Sequence, residues 1–382
     1  MSEPRDVVFT FTTASWADAR RRGMCFPPDR FAETLLVHPR VRRLLVANPF
    51  RSLPGLLARR VSGGVEDEGF PSNGRARLYT PPAFRRGEAS SVAGVARRYR
   101  HYDELLRHAA DKAGLERPAV ITSHGLVAGF APLEWANGVT FYADDDFSAH
   151  PAHAQQKSAY LEAYSRVGAS GRRVCAVSES LIELIEPTGP SAVVPNGVDP
   201  AEWETLAPPP DWMARLPRPH IAYAGTLDDR VDWHRVREVA ERFNTGSVVM
   251  LGYVPDQSVL EPIQGLTNVH LHRTVPREEI TAVLGGADVC LVPHRRTPLT
   301  ESMSPLKLYE YLAAGRPVAA TDLPPVRGID DRVVLVADGE DFADAVARAL
   351  ELGPAGEDQR QEFLRKHAWR ARHERILDLA LA

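Results

Sequence analysis

Ser304-Pro305-Leu306-Lys307-Leu308-Tyr309-Glu310-Tyr311-Leu312-Ala313-Ala314-Gly315-Arg316-Pro317-Val318 reads as a short helix with both ends marked. Ser304 suits a helix cap and Pro305 its first turn. Gly315 and then Pro317 stop it, because glycine takes the left-handed conformation that ends helices. Pro305, Leu308, Tyr309 and Leu312 recur at i, i+3, i+4 and i+7 and give one apolar face. Lys307 and Glu310 fall on the opposite side. The start of a helix offers free N–H groups and a partial positive charge, which together seat a diphosphate. Lys307 would add a full charge there, and Glu310 could accept hydrogen bonds from vicinal hydroxyls such as those of a ribose. The plain alternative is a surface Lys–Glu pair worth about 0.2–0.5 kcal/mol. Two points weigh against it. The only lysines are Lys112, Lys157, Lys307 and Lys366, so one inside a motif stands out. A cation at the positive end of a helix is also unfavourable unless an anion joins it.

Outward from this stretch, short apolar runs alternate with amphipathic ones. Upstream, Val7–Thr12, Val41–Ala47, Arg77–Thr80, Ala119–Thr122, Val139–Ala143, Arg173–Val177 and Ser191–Val194 read as strands, with helices between them. Gly63–Gly74 reads as a Gly-rich acidic loop. Ala207–Pro219 holds Pro208-Pro209-Pro210 and reads as a stiff joint. After it Pro219–Ala224, Ser247–Leu251, Val269–Leu271, Asp288–Pro293, Val318–Thr321 and Val333–Val336 are strands, and Asp358–Leu381 is a charged amphipathic helix. The expected fold is α/β: two doubly wound Rossmann-like domains, residues 1–204 and 205–361, with the helix 362–382 packing back on the first. Ligands of such sheets bind outside the carboxyl ends of the strands, so the expected site is the cleft between the domains.

A chain of 382 residues with 44% hydrophobic and 25% charged residues has material for two cores. Its net charge of −4 disfavours a nucleic-acid partner. Cys25, Cys175 and Cys290 are far apart and form no C-x-x-C, which fits a reduced compartment. Met1–Asp6 does not match a secretory leader, and no run is long enough to span a membrane. The expectation is a cytoplasmic protein. Nothing in the sequence opposes peripheral membrane association, and nothing in it sets the oligomeric state. There is no Walker A sequence and no tight G-x-G-x-x-G, which argues against an ATPase or a dinucleotide oxidoreductase.

Ser304–Val318 closely resembles the donor-site helix of GT-B-fold glycosyltransferases, nearest to the family-4-like group that includes bacterial enzymes of cell-surface polysaccharide synthesis. The resemblance runs through Ala287-Asp288-Val289-Cys290-Leu291-Val292-Pro293, Leu299-Thr300-Glu301-Ser302, Val194-Pro195-Asn196-Gly197-Val198-Asp199 and Ala222-Tyr223-Ala224-Gly225-Thr226-Leu227. It is weaker in the first half, at Ser15-Trp16 and Tyr142-Ala143-Asp144-Asp145. It implies transfer of a sugar from a UDP-, dTDP- or GDP-sugar to a hydroxyl or amine, in polysaccharide or natural-product biosynthesis. The acceptor would be a small molecule, a lipid-linked sugar or a saccharide, and no metal or other cofactor is expected. By the same resemblance Glu310 holds the donor ribose, Gly225 and Thr226 form the turn near the diphosphate, and Arg230 stabilises the leaving group. Ser304, Pro305, Leu306 and Lys307 complete the donor seat. His294, close in sequence, is a candidate to approach the phosphates. Many relatives carry a second glutamate eight positions before Glu310; Ser302 stands there, and Glu301 is one residue out of register.

His124, after a strand of the first domain, resembles the acceptor-side histidine of related enzymes. Within Asp144-Asp145-Asp146, Asp145 or Asp146 could touch the acceptor or serve as the general base of an inverting reaction. Arg20-Arg21-Arg22 is read as a loop after the first strand, suited to an anionic acceptor or to solvent. Two rival readings keep the fold: a nucleotide-sugar 2-epimerase, and a non-catalytic GT-B protein that binds a sugar or regulates a partner.

Overall fold

A computed structural model of the chain describes residues 3–52, 69–71, 74–83, 89 and 91–382. Most of the acidic loop expected at Gly63–Gly74 lies outside the described residues. The chain divides into two compact units, Met1–Pro195 with Arg372–Ala382, and Asn196–Ala371.

In the first unit the strands are β1 (Arg5–Thr10), β2 (Val41–Ala47), β4 (Ala76–Tyr79), β6 (Ala119–Thr122), β7 (Val139–Ala143), β8 (Arg173–Ala176) and β9 (Ser191–Val193). The short β3 (Arg51–Ser52) and β5 (Pro82–Ala83) pair separately. The main sheet runs β4-β2-β1-β6-β7-β8-β9, parallel throughout. In the second unit β10 (His220–Ala224), β11 (Ser247–Leu251), β12 (Val269–His272), β13 (Val289–Val292), β14 (Val318–Thr321) and β15 (Val333–Val336) form a parallel sheet ordered β12-β11-β10-β13-β14-β15. Both sheets start in the middle, run to one edge, and return to fill the other. The order reverses between β1 and β6 and again between β10 and β13, which is where a doubly wound sheet binds ligands.

Strand composition explains the layering. The central strands of the second unit, His220-Ile221-Ala222-Tyr223-Ala224 and Val289-Cys290-Leu291-Val292, are buried along their whole length, as parallel strands covered on both faces must be. Ala222, Ala224, Cys290 and Val292 face one core with Leu308, Tyr311 and Leu312; Ile221, Tyr223, Val289 and Leu291 face another with Val236, Phe342 and Val346. β10 and β13 pair only at Ile221–Val289 and Ala222–Cys290. At Ala224 the Tyr311 hydroxyl takes over: it accepts from the Ala224 N–H at 2.8 Å and donates to the Ala224 carbonyl at 3.2 Å. The helix Leu306–Ala313 is thus fastened to the point where the two strands separate.

The end of the chain differs from expectation. Asp358–Leu381 is not one helix but two, Glu357–Lys366 and Trp369–Ala380. At the break, Val198 N–H donates to the His367 carbonyl at 2.9 Å and Trp369 N–H to the Val198 carbonyl at 2.8 Å. Phe363 and Leu364 join the second unit's core, whereas Ile376, Leu377, Ala380 and Leu381 join the first. The second unit begins at Asn196, ahead of the domain boundary expected at residues 204 and 205 and of the proline-rich joint that follows it. Val198 and the fully buried Trp203 pack in the second core, and buried apolar area outweighs the stiffness of the later proline run.

No disulfide links the three cysteines, and Cys175 and Cys290 are buried. Among the described residues no helix is long and apolar enough to cross a membrane.

Trp203→Ala should destabilise the second unit by about 3–5 kcal/mol through the cavity it leaves. A lowered thermal transition in calorimetry checks this; an unchanged transition would remove Trp203 from the core.

Candidate functional site

The Lys307 side chain lies at the β10/β13 switch. Its Nζ donates to the Tyr223 hydroxyl at 2.6 Å and to His294 Nε2 at 3.1 Å, and sits 4.4 Å from the centre of the Tyr223 ring. His294 accepts, so its ring proton is on Nδ1, a buried atom with no partner among the described residues. Burial, then Lys307 and Arg230, hold the His294 pKa well below the usual range, so the ring is neutral. Tyr223 donates in turn to the Thr226 carbonyl at 3.1 Å. Lysine has three donors. These two contacts use two of them, and no acceptor among the described residues takes the third.

Glycine makes room for this amine. A Cβ on Gly225 would come within 3.0 Å of Lys307 Cε and 3.1 Å of Nζ, and Gly225 has φ +149°. A Cβ on Gly252 would meet the Gly225 carbonyl oxygen at 1.8 Å. Gly225, Thr226, His294 and Lys307 therefore stand together. Burial and the nearby Arg230 lower the Lys307 pKa to about 7, partly offset by Asp228 and Glu310. The amine is cationic only part of the time at neutral pH, and an oxyanion would hold its proton.

The helix itself departs from expectation. It begins at Leu306, with Pro305 at the cap position and no side chain capping it. Ser304 does not cap: its hydroxyl accepts from the Asn196 backbone N–H at 3.1 Å and its carbonyl from Asn196 Nδ2 at 2.6 Å. The expected cap is spent on the chain entering the unit, and the first-turn amides keep no side-chain acceptor. Arg230 lies nearby but is gripped by Asp228, with Nε 3.0 Å from both carboxylate oxygens. That pairing offsets much of its charge.

Glu310 is occupied in a way the sequence did not signal. Its Oε1 lies 2.6 Å from Arg277, which also binds Glu202 at 2.7 Å and rests over the Trp203 ring at 5.3 Å. Arg277 lies 33 residues before Glu310 in sequence, opening the helix Arg277–Gly286, so no local spacing links the two. Ser302 is turned into its own helix, donating to the Pro298 carbonyl at 2.8 Å, while Glu301 pairs with Arg296 at 2.7 Å. Neither replaces a glutamate beside Glu310.

In the first unit, His124 follows β6 at the other switch point, beside Thr10 and Thr122, whose hydroxyls lie 2.6 Å apart. It is only 4% exposed; its Nε2 meets the Tyr99 hydroxyl at 2.8 Å and its buried Nδ1 has no partner among the described residues. Burial, then His153 and Arg98, lower its pKa to about 3, so it is a neutral ring. Asp145 accepts from the Asp146 N–H at 2.9 Å. The perturbed carboxylate is instead its neighbour Asp144: burial, Asp145 and Asp29 push its pKa well above the usual range, and its buried Oδ1 has no partner among the described residues. The arginine run is not a loop. Ser15 caps the helix Trp16–Arg21, Arg21 pairs with Asp18, and Arg22 pairs with the buried Asp29 at 2.5 Å. Among the described residues no group of three or more His, Cys, Asp or Glu is placed to hold a metal.

Residues 218–352 match the family model described as Glycosyl transferases group 1. The second unit is a group 1 glycosyl transferase domain. A curated relative, the putative teichuronic acid biosynthesis glycosyltransferase TuaH of Bacillus subtilis, is 25% identical over 154 residues. That match spans 39% of this chain and 38% of the relative. Whole-chain likeness is structural. Sucrose-phosphate synthase from Thermosynechococcus elongatus superposes with a TM-score of 0.67 at 15% identity, covering 98% of each chain. The E. coli trehalose-6-phosphate structure bound with UDP-2-fluoro glucose gives 0.68 at 13% identity, covering 99% of each. These establish that the group 1 domain is set in a GT-B fold.

An oxyanion binds the ammonium form of Lys307, so its binding takes up a proton. Affinity for inorganic pyrophosphate should therefore fall as pH rises through about 7, by up to about tenfold per unit beyond the ligand's own titration. Titration calorimetry of the full chain and Lys307→Met checks this; equal slopes for both proteins would refute it.

Proposed function

We propose that the protein is a glycosyltransferase that moves a sugar from a nucleoside diphosphate donor to a hydroxyl or amine acceptor. The observation that carries this reading is the Lys307 amine, set against Gly225 and held by Tyr223 and His294 at the first turn of an uncapped helix, on the switch point of a group 1 domain. The geometry suits a diphosphate: a proton-holding cation, free helix amides, and a glycine that lets the ligand approach backbone. In this reading Lys307 and the first-turn amides meet the negative charge that develops on the leaving diphosphate, with Arg230 contributing once Asp228 yields. Glu310 takes the ribose hydroxyls. A UDP-sugar is a supported donor, since one structure of similar fold holds UDP-2-fluoro glucose.

The first unit supplies the acceptor side. Burial raises the pKa of Asp144 and so favours the protonated form, which can donate a hydrogen bond to an acceptor oxygen, and Asp145 beside it is the candidate general base. His124 orients the group through Tyr99 rather than shuttling a proton, because its ring stays neutral. The acceptor is a small molecule, a lipid-linked sugar or a saccharide, in cell-surface polysaccharide or natural-product synthesis. The reaction is proposed to run in the cytoplasm and to need no metal.

One observation favours a second reading, a non-catalytic GT-B protein that binds a sugar nucleotide. Ser302 is turned back on Pro298 and Glu301 is paired with Arg296, so neither supplies a second glutamate beside Glu310.

Incubation with a panel of UDP-, GDP- and dTDP-sugars should release nucleoside diphosphate from at least one donor, and Lys307→Ala should lower kcat/KM for that donor by about 100-fold or more. Binding of the nucleotides without turnover would select the second reading; no binding at all would overturn both. Turnover should also persist after treatment with EDTA, and its loss and recovery with a divalent cation would overturn the metal-free proposal.

A further inference from the structure

Arg277 has a role that no local motif announces. It bridges two carboxylates, Glu310 at 2.6 Å through Nη1 and Glu202 at 2.9 and 2.7 Å through Nε and Nη2, while lying 5.3 Å above the Trp203 ring. The arrangement is partly enclosed, with side-chain exposures of 31% for Arg277, 20% for Glu202 and 13% for Glu310. Burial disfavours the charge on Arg277, but Glu310 and Glu202 outweigh it and hold the guanidinium charged. Trp203 is fully buried, so the platform under the guanidinium is fixed. Arg277 reaches Glu310 at Oε1, and Oε2 accepts no hydrogen bond among the described residues.

Two effects follow from this geometry. A long glutamate side chain is held in one orientation, so its free oxygen is presented without a further loss of rotamer freedom. Its negative charge is also neutralised, which reduces repulsion with a diphosphate seated at Lys307, three residues away on the same helix. A ribose diol donates hydrogen bonds to a carboxylate, whereas its deoxy analogue leaves the carboxylate unpaired. We infer that Arg277 is a positioning residue that presents Glu310 to the ribose hydroxyls of the donor and so makes the site selective for ribonucleotides over deoxyribonucleotides. The inference rests on the reading that this domain seats a nucleoside diphosphate. Lysine cannot replace Arg277, because a single ammonium lacks the fork that spans both carboxylates.

The test compares UDP with its 2′-deoxy and 3′-deoxy forms by titration calorimetry on the full chain, for the unaltered protein, Arg277→Gln, Arg277→Lys, Glu310→Gln and the Arg277→Gln/Glu310→Gln pair. The unaltered protein should prefer UDP to at least one deoxy form by about tenfold. Arg277→Gln should lose that preference by weakening UDP alone, with deoxy affinity kept within about twofold, and should add little to Glu310→Gln. Arg277→Lys should behave alike and serves if the glutamine variant does not fold. Equal weakening of all three ligands would make Arg277 merely structural and overturn the inference. Tighter UDP binding in Arg277→Gln would overturn it too, by showing that Arg277 blocks Glu310. If the unaltered protein binds none of the nucleotides, the donor reading itself falls; if it binds UDP and the deoxy forms equally, the donor reading stands and this inference alone fails.

Discussion

The second unit is organised around a lysine amine enclosed by uncharged groups. An ammonium is expensive to desolvate, and Lys307 is kept in place by a phenol, a neutral imidazole and the face of a ring rather than by a carboxylate in direct contact. That choice sets the residues around it. Gly225 must lack a Cβ for the amine to lie against the backbone, and Gly252 must lack one for Gly225 to sit where it does. His294 must stay neutral to accept from the lysine, and burial keeps it so. A lysine held this way is poised to take a proton when an anion arrives.

The sheet topology explains why these groups meet. β10 and β13 part after Ala222 and Cys290, and at that gap the chain ends of both strands, Gly225 and His294, come within reach of the next helix. A parted pair of strands leaves backbone groups unpaired, and the Tyr311 hydroxyl satisfies both those of Ala224. The helix that carries Lys307 is therefore also the one that closes the opening. In the first unit the corresponding position between β1 and β6 is filled by hydroxyls, Thr10 with Thr122 and Thr12 with Ser123, and by a buried histidine on Tyr99. The two switch points share a topology and differ in chemistry: one carries a lysine amine, the other neutral polar groups near a carboxyl whose pKa burial raises.

Electrostatic pairing divides the remaining charges into those available to a ligand and those already engaged. Arg230 is chelated by Asp228, Arg22 by Asp29, and Glu310 by Arg277. A charge run such as Arg20-Arg21-Arg22 looks like an open anion surface only while its partners are unknown. Once Asp18 and Asp29 are in place, Arg21 and Arg22 serve the turn between two helices.

The sequence by itself determined the layering and the position of the donor helix. Apolar runs of strand length alternating with helices imply parallel sheets covered on both faces, and the period of Leu308, Tyr309 and Leu312 fixes which side of that helix faces inward. The resemblance to GT-B glycosyltransferases drew Gly225, Thr226 and Lys307 into one donor site, with His294 close to it in sequence. Tertiary structure decided what the local patterns could not carry. Ser304 was taken from its helix by Asn196, 108 residues away, and Arg277 was brought to Glu310 across a strand and two helices. The last segment broke at His367 because Val198 offers it a strand-like pairing, and Trp203 drew the unit boundary back into the first run. In each case a hydrogen bond or buried contact between distant residues outweighed a local preference worth about 1 kcal/mol, and distant partners leave no periodic mark in the sequence.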